Sequence, residues 1–300
     1  MTKLICVGSV GLDDVKTPFG NVTNALGGSA VYFSVGASFF SPVGMVSVAG
    51  RDFPKEHMNF LKSRGIDLSG FHINSGKTFR WAGAYEHDMN EAKTIKTELN
   101  AFEGFRPELP ESYKNADYVF LCNIGPALQK LVLEQVKKPK FIAMDSMNFW
   151  IDRSREELID VIKRADLLLL NESEVRQLFN TSNLVKAAKE SLRLGPEYVL
   201  IKRGEHGATL FSNSSIFSLP GYPLENVLDP TGAGDSFAGG VMGWLAKTGD
   251  LSYQNIKKAV IYGSSIASFN AEGFSLEKLK AISLNDIEGR YKEFKTLIEF

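Results

Sequence analysis

The sequence predicts an α/β fold built on a mostly parallel central sheet with helices on both faces. Six short runs, KLICVGS (3–9), VGMVSVA (43–49), YVFLCNI (118–124), KFIAMDS (140–146), ADLLLLN (165–171) and EYVLIKR (197–203), are nearly continuous in apolar residues. Each closes on small or polar residues, and helical stretches such as GGSAVYFSVGASFF, ALQKLVLEQVKK and RSREELIDVIKRA lie between several of them. Strands that are apolar throughout, rather than at every second position, belong to sheets covered on both faces, which are parallel and joined by helical crossovers. Ligands of such sheets bind beyond the carboxyl ends of the strands, so the strand-to-helix loops are where chemistry is sought.

In chain order, the first strand opens at Lys3 with no basic-then-apolar leader, and no apolar run is long enough to span a bilayer. A cytoplasmic protein without membrane contact is expected. The regular rhythm holds through 43–49 and breaks between 71 and 100, where FHINSGKTFRWAGAYEHDMNEAKTIKTELN contains no strong helix. Two alternating segments flank EHDMNE there. In the first, Phe79, Trp81, Gly83 and Tyr85 share one face while Thr78, Arg80, Ala82 and Ala84 share the other. This reads as a small β-lid inserted in the α/β body, or as an edge through which a homodimer forms. Strands and helices then alternate as far as 203, with no internal repeat or low-complexity linker, so 1–300 reads as one domain with its lid at about 71–100.

Composition narrows the function class. Apolar residues make up 44% of the 300-residue chain and charged residues 23%, enough apolar content for a sizeable core. Lys and Arg (34) nearly cancel Asp and Glu (35), and KKPK at 137–140 is the longest basic cluster. No basic footprint for a nucleic acid is present. Cys6 and Cys122 lie within apolar runs and read as small buried hydrophobes, while histidines scattered at 57, 72, 87 and 206 offer no zinc spacing.

Ser75-Gly76-Lys77-Thr78 has the look of the end of a phosphate loop. That motif requires glycine at 71, which is phenylalanine, and a following helix, whereas TFRWAGAY reads as strand. SGKT is therefore excluded as a phosphate site.

The stretch VLDPTGAGDSFAGG (227–240) is different. Pro230 sets the entry, Gly232 and Gly234 free the backbone, and a helical run with Phe237, Val241, Met242, Trp244 and Leu245 follows. The GAGD amides thus stand at a helix N-terminus, where unpaired N–H groups and the positive dipole end favour an anion. Asp235 and Ser236 would also serve as plain caps. Capping alone does not account for the glycines; an anion cradle accounts for both glycines and carboxylate. A carboxylate beside a phosphate is costly unless it accepts a proton or holds a metal, a combination suited to phosphoryl transfer.

DPTGAGDSFAGG resembles the C-terminal signature of the ribokinase-like, or PfkB, family of carbohydrate and nucleoside kinases, and the likeness runs through nearly the whole chain in order. GSVGLD (8–13) is similar to the family's opening strand-and-turn, LGGSA (26–30) to its diglycine motif, and VGMVSVAGRDFPKEHMNFLKSRGID (43–67) to its next conserved segment. NESE (171–174) matches its N-x-x-E motif and IKRGEHGATL (201–210) its K-x-G-x-x-G turn. The resemblance implies a three-layer ribokinase-like fold and a cytoplasmic kinase using ATP and magnesium on a small acceptor, with a monovalent cation such as K+ as a further cofactor.

The roles it implies attach to individual residues. Asp235 matches the catalytic base, and the amides of Gly232, Ala233, Gly234 and Asp235 the anion hole. Asp13 matches the acceptor-binding aspartate, although a turn aspartate would look the same and Asp14 is an adjacent rival. Gly27 and Gly28 would let the acceptor approach the backbone, or simply start a helix. Asn171 and Glu174 match residues that hold magnesium, partly through water, but an N-cap with Glu three residues on gives the same sequence. Lys202, Gly204 and Gly207 match the nucleotide-bordering turn, and Asp229 and Thr231 positions near a monovalent cation.

Two departures bear on the acceptor. Tyr32 stands where many sugar kinases carry a sugar-binding asparagine, and DSMNFW (145–150) only loosely resembles the family's asp-pro-asn-x-arg segment. The aromatic face of the lid offers a stacking surface for a base, or buries itself in a dimer. Weighed together these favour a nucleoside over a free sugar such as ribose or fructose. An oxidoreductase fails because VGSVGLDD lacks the third glycine and strand-end acid of a dinucleotide fingerprint. The intact GAGD with Asp235 argues against a non-catalytic binding module.

Overall fold

A computed structural model describes residues 3–299, and every one of the six apolar runs forms a strand in it. In chain order the strands are β1 (Leu4–Val7), β2 (Gly11–Thr17), β3 (Gly20–Gly27), β4 (Val43–Gly50), β5 (Asp67–Asn74), β6 (Phe79–Tyr85) and β7 (Ala92–Glu98). There follow β8 (Tyr118–Leu121), β9 (Phe141–Asp145), β10 (Leu167–Asn171), β11 (Tyr198–Lys202), β12 (Ala208–Phe211) and β13 (Ile216–Leu219). Among the described residues, nine strands form one sheet in the order β13-β12-β11-β10-β9-β8-β1-β4-β5. The seven from β11 to β5 are parallel, and β12 and β13 finish one edge as antiparallel strands.

Burial explains why these strands read as unbroken apolar runs. Leu167 and Leu169 face one side of the sheet, with Leu4 and Cys6, beneath helices 29–38, 233–248 and 253–271. Leu168 and Leu170 face the other side, with Ile5 and Val7, beneath helices 126–135, 155–162 and 184–194. Alternate side chains of one strand thus enter two separate cores, which leaves little room for polar residues. The result is the three-layer ribokinase-like arrangement. Among the described residues, no helix is long and apolar enough to cross a membrane.

The smaller sheet, ordered β3-β2-β6-β7, draws on two separated segments, 11–27 and 79–98. Residues 71–74 belong instead to β5 at the edge of the large sheet. β2 and β3 are hard to read as strands because one face is solvated: Asp14 and Lys16 are exposed between buried Asp13, Val15 and Thr17. The parallel register of β2 and β6 sets Asp13 opposite Trp81 and Gly11 opposite Phe79, so the aromatic face of β6 is also the Asp13 face.

The SGKT turn leads into β6 rather than a helix. Asp52 Oδ1 accepts from the Thr78 backbone N–H at 2.6 Å and from its hydroxyl at 2.7 Å, and Asn100 Nδ2 donates to the Thr78 carbonyl at 2.9 Å. This bonding fixes the root of the small sheet.

Candidate active site

The site is assembled around the start of helix 233–248, at the carboxyl ends of the parallel strands. Gly232 is its N-cap at φ 75, and its Cα lies against the ring of Tyr32, so that a Cβ there would fall 2.3 Å from ring carbons. Both the left-handed backbone and the close approach require glycine. Ala233 N–H is used by the Pro230 carbonyl at 3.0 Å, whereas those of Gly232, Gly234 and Asp235 meet no acceptor among the described residues. Three amides therefore remain for an anion, not four. Buried Asn270 pins both ends of this loop: its Nδ2 donates to the Thr231 carbonyl at 2.8 Å and its Oδ1 accepts from Ser236 Oγ at 3.2 Å.

Asp235 sits beside a charged cluster. Removal of its carboxyl from water, reinforced by the negative charge of Asp145 and opposed by Lys202, pushes its pKa up to about 7. Lys202, at the end of β11, pairs with buried Asp145 at the end of β9, Nζ to Oδ2 2.5 Å. Its ammonium also lies 3.3 Å from where a Gly234 Cβ would stand. The sequence placed Lys202 at the nucleotide border; its side chain extends further, to the GAGD loop itself.

Asn171 and Glu174 form a complete capping box. Asn171 Oδ1 accepts from the Glu174 N–H at 2.8 Å, and Glu174 Oε2 accepts from the Asn171 N–H at 2.7 Å. Burial raises the Glu174 pKa to about 7, with Lys202 opposing and Asp145 adding to the rise. Capping and metal binding are compatible, because the box uses one carboxylate oxygen. Among the described residues, no group of three or more His, Cys, Asp or Glu is arranged to hold a metal ion by itself. Magnesium usually takes one or two carboxylates and completes its shell with water and substrate phosphates, and the hard oxygen donors of Glu174 and Asp145 fit that need.

On the other side of Asp235 lies Asp13, which stands within β2 rather than in a turn. Gly27 makes room for it, since a Cβ at Gly27 would fall 1.9 Å from Asp13 Oδ2. Gly28, at φ 99, is the N-cap of helix 29–38, and its backbone amide favours the charged form of Asp13. The diglycine therefore both starts a helix and seats this carboxylate. Burial, followed by the charges of Asp229, Asp235 and Asp14, raises the Asp13 pKa to about 8. Asp13 Oδ1 and the Tyr32 hydroxyl are both buried without a hydrogen-bond partner. Asp14 is exposed and accepts from the Asn24 N–H, so of the two adjacent aspartates only Asp13 is buried. Asp229 accepts from the N–H groups of Thr231 and Ser275, at 2.9 and 3.0 Å, and so closes the loop that precedes the helix.

Next to Lys202 opens a cavity of about 1100 Å³, walled by Gly204, Gly207, Gly234 and Asn171 and by Ala267 and Ala271 at its apolar end. Gly204 (φ 55) and Gly207 (φ 87) have left-handed backbones, and a Cβ at Gly207 would lie 2.1 Å from the Leu219 carbonyl. Turns of the small sheet, at Pro18–Phe19 and His87–Asn90, reach the same cavity.

The model of the pfkB family of carbohydrate kinases matches residues 1–278. The chain belongs to this family. It is 29% identical over 248 residues to a cytidine kinase of Thermococcus kodakarensis, covering 81% of this chain and 88% of that one. The solved nucleoside kinase of Methanocaldococcus jannaschii superposes with a TM-score of 0.78 at 19% identity, over 98% of this chain and 99% of that one. Arabidopsis thaliana ribokinase, solved with ribose and ATP, gives 0.77 at 19% identity, over 97% and 99%. As a member of this family the protein is a phosphotransferase with a hydroxyl acceptor.

Three residues of this kinase's site escaped the sequence reading. Asp145 closes an apolar strand and heads the loose DSMNFW match, but neither signal showed that it would meet Lys202. Asn270 sits in the last turn of helix 253–271, where nothing in the sequence separates it from a surface asparagine. Tyr85 was read as part of an aromatic face, yet its hydroxyl meets Thr231, 146 residues away.

Proposed function

We propose that this kinase transfers the γ-phosphate of ATP to a primary hydroxyl of a nucleoside, with Asp235 as general base. The observation that carries the reading is the position of Asp235: a carboxylate of pKa about 7 at a helix N-terminus, beside three amides without acceptors. A base poised near the working pH is the efficient one. The acceptor oxygen attacks the γ-phosphorus, its proton passes to Asp235, and the bond to the bridging oxygen breaks to release ADP. The amides of Gly232, Gly234 and Asp235, with Lys202 beside them, neutralise charge on the transferring group. Magnesium, held by Asn171 and Glu174 partly through water and by Asp145, would supply further charge neutralisation on the phosphates. ATP takes the cavity bordered by Gly204 and Gly207; the acceptor takes the space between Asp13 and Asp235.

A nucleoside is favoured because Trp81 shares the Asp13 face of the small sheet, and stacking on an aromatic ring is worth about 1–3 kcal/mol per base in other settings. The names of the Thermococcus and Methanocaldococcus relatives point the same way. The test is ADP release across a panel of adenosine, cytidine, guanosine, inosine, ribose and fructose. Turnover on ribose or fructose far above that on every nucleoside overturns the acceptor and leaves the kinase reading standing.

A further inference from the structure

Thr231, the residue before the GAGD loop, has each of its polar groups engaged by a different part of the molecule. Its N–H donates to Asp229 at 2.9 Å and its carbonyl accepts from Asn270 at 2.8 Å. Its hydroxyl donates to the Tyr85 hydroxyl at 3.2 Å. The first two partners belong to the α/β body. The third belongs to β6 of the small sheet, whose following turn, at His87–Asn90, reaches the nucleotide cavity. This bond therefore ties the small sheet to the residue that precedes the GAGD loop.

Gly232 follows Thr231 directly and takes the left-handed conformation from which helix 233–248 starts. The direction of the three acceptor-less amides is set there, so whatever orients Thr231 orients them. A positioned array of donors needs no reorganisation at the moment of reaction, and errors well under 1 Å reduce its value.

We propose that Tyr85 is a positioning residue for phosphoryl transfer: through Thr231 it completes the amide array once the small sheet covers the acceptor. The proposal rests on the GAGD loop being the anion site. It separates Tyr85 from Trp81 on the same face, since Tyr85 acts through its hydroxyl and Trp81 through its ring. The device ties the exclusion of water to the readiness of the loop, so that an uncovered site holds an incomplete array.

Tyr85→Phe keeps the ring and its packing and removes only the hydroxyl. It is expected to lower kcat about 3–10-fold, the range set by one net hydrogen bond, with the KM values for ATP and acceptor within about twofold of wild type. Thr231→Val should give a similar loss and Thr231→Ser should recover most of it. The double variant Tyr85→Phe/Thr231→Val should be no slower than the slower single variant, because both remove one bond. A Tyr85→Phe enzyme with wild-type kcat, an effect confined to acceptor KM, or multiplicative losses in the double variant would each overturn the proposal. Asp235→Asn, run in parallel, separates the two readings. If it retains turnover the loop assignment fails; if it is inactive while Tyr85→Phe is normal, only the role of Tyr85 fails.

Discussion

Lys202 and Asp145 form an ion pair, Nζ to Oδ2 2.5 Å, across the carboxyl ends of β11 and β9. The ammonium also acts on Glu174 and Asp235. It is the cation that allows three carboxylates to share one end of the sheet.

Lys202→Met should therefore do two things. Leaving buried Asp145 without its partner should destabilise the fold by about 3 kcal/mol, read by denaturant unfolding. Lys202 holds the Asp235 pKa down, so its loss should move the acid limb of the kcat/KM profile to higher pH by about one pH unit or more. An unmoved limb would show that Lys202 does not act on the base.

Asp235→Asn should leave the fold and nucleotide binding intact while cutting turnover by about 10²–10⁴-fold. In the wild type kcat/KM should fall as pH drops below about 7, where Asp235 takes up its proton. A variant keeping more than about a tenth of wild-type turnover removes Asp235 as the base.

Glu174→Gln should raise the magnesium concentration needed for half-maximal rate, with little change in melting temperature at about pH 5, where the folded-state Glu174 carboxyl is uncharged. Glutamine at this position can still complete the capping box, so the substitution removes charge and preserves the cap. Glu174→Ala loses both and should cost about 1 kcal/mol in addition. A normal magnesium dependence in Glu174→Gln would reduce the residue to a capping role.

Asp13, Glu174 and Asp235 all have folded-state pKa values above those of the free carboxyl, near 8, 7 and 7. Groups raised in this way contribute stability that is complete below the unfolded pKa near 4 and is lost as pH rises through the folded value. The ligand-free enzyme should thus melt at progressively lower temperature between about pH 4 and pH 8. Asp13→Asn removes the largest of these contributions and should flatten the slope. At pH 8 it should melt about 2–4 °C or more above wild type, while acceptor KM rises. Equal slopes for variant and wild type would contradict the burial of a charged Asp13.

How much was legible in the sequence follows from which interactions are local. The strands ending in Asn171 and Lys202 announced themselves through unbroken apolar runs, because burial on both faces leaves no other composition. GAGD was legible for the same reason: a helix start, a left-handed glycine and an adjacent carboxylate all lie within a few residues. The Asn171–Glu174 pattern was legible but ambiguous, since a capping box and a metal-holding pair use the same two residues.

What the sequence determined by itself was the α/β class, the family and the loop that carries Asp235, each encoded in short spacings. Only the tertiary structure decided what surrounds that loop. Asp145 is brought to Lys202, Asn270 to Thr231 and Ser236, and Tyr85 to Thr231 by pairing and packing between segments far apart in the chain. The same holds for the small sheet: a solvated sheet has no distinctive composition, so joining 11–27 to 79–98 depended on strand pairing that neither segment announces alone.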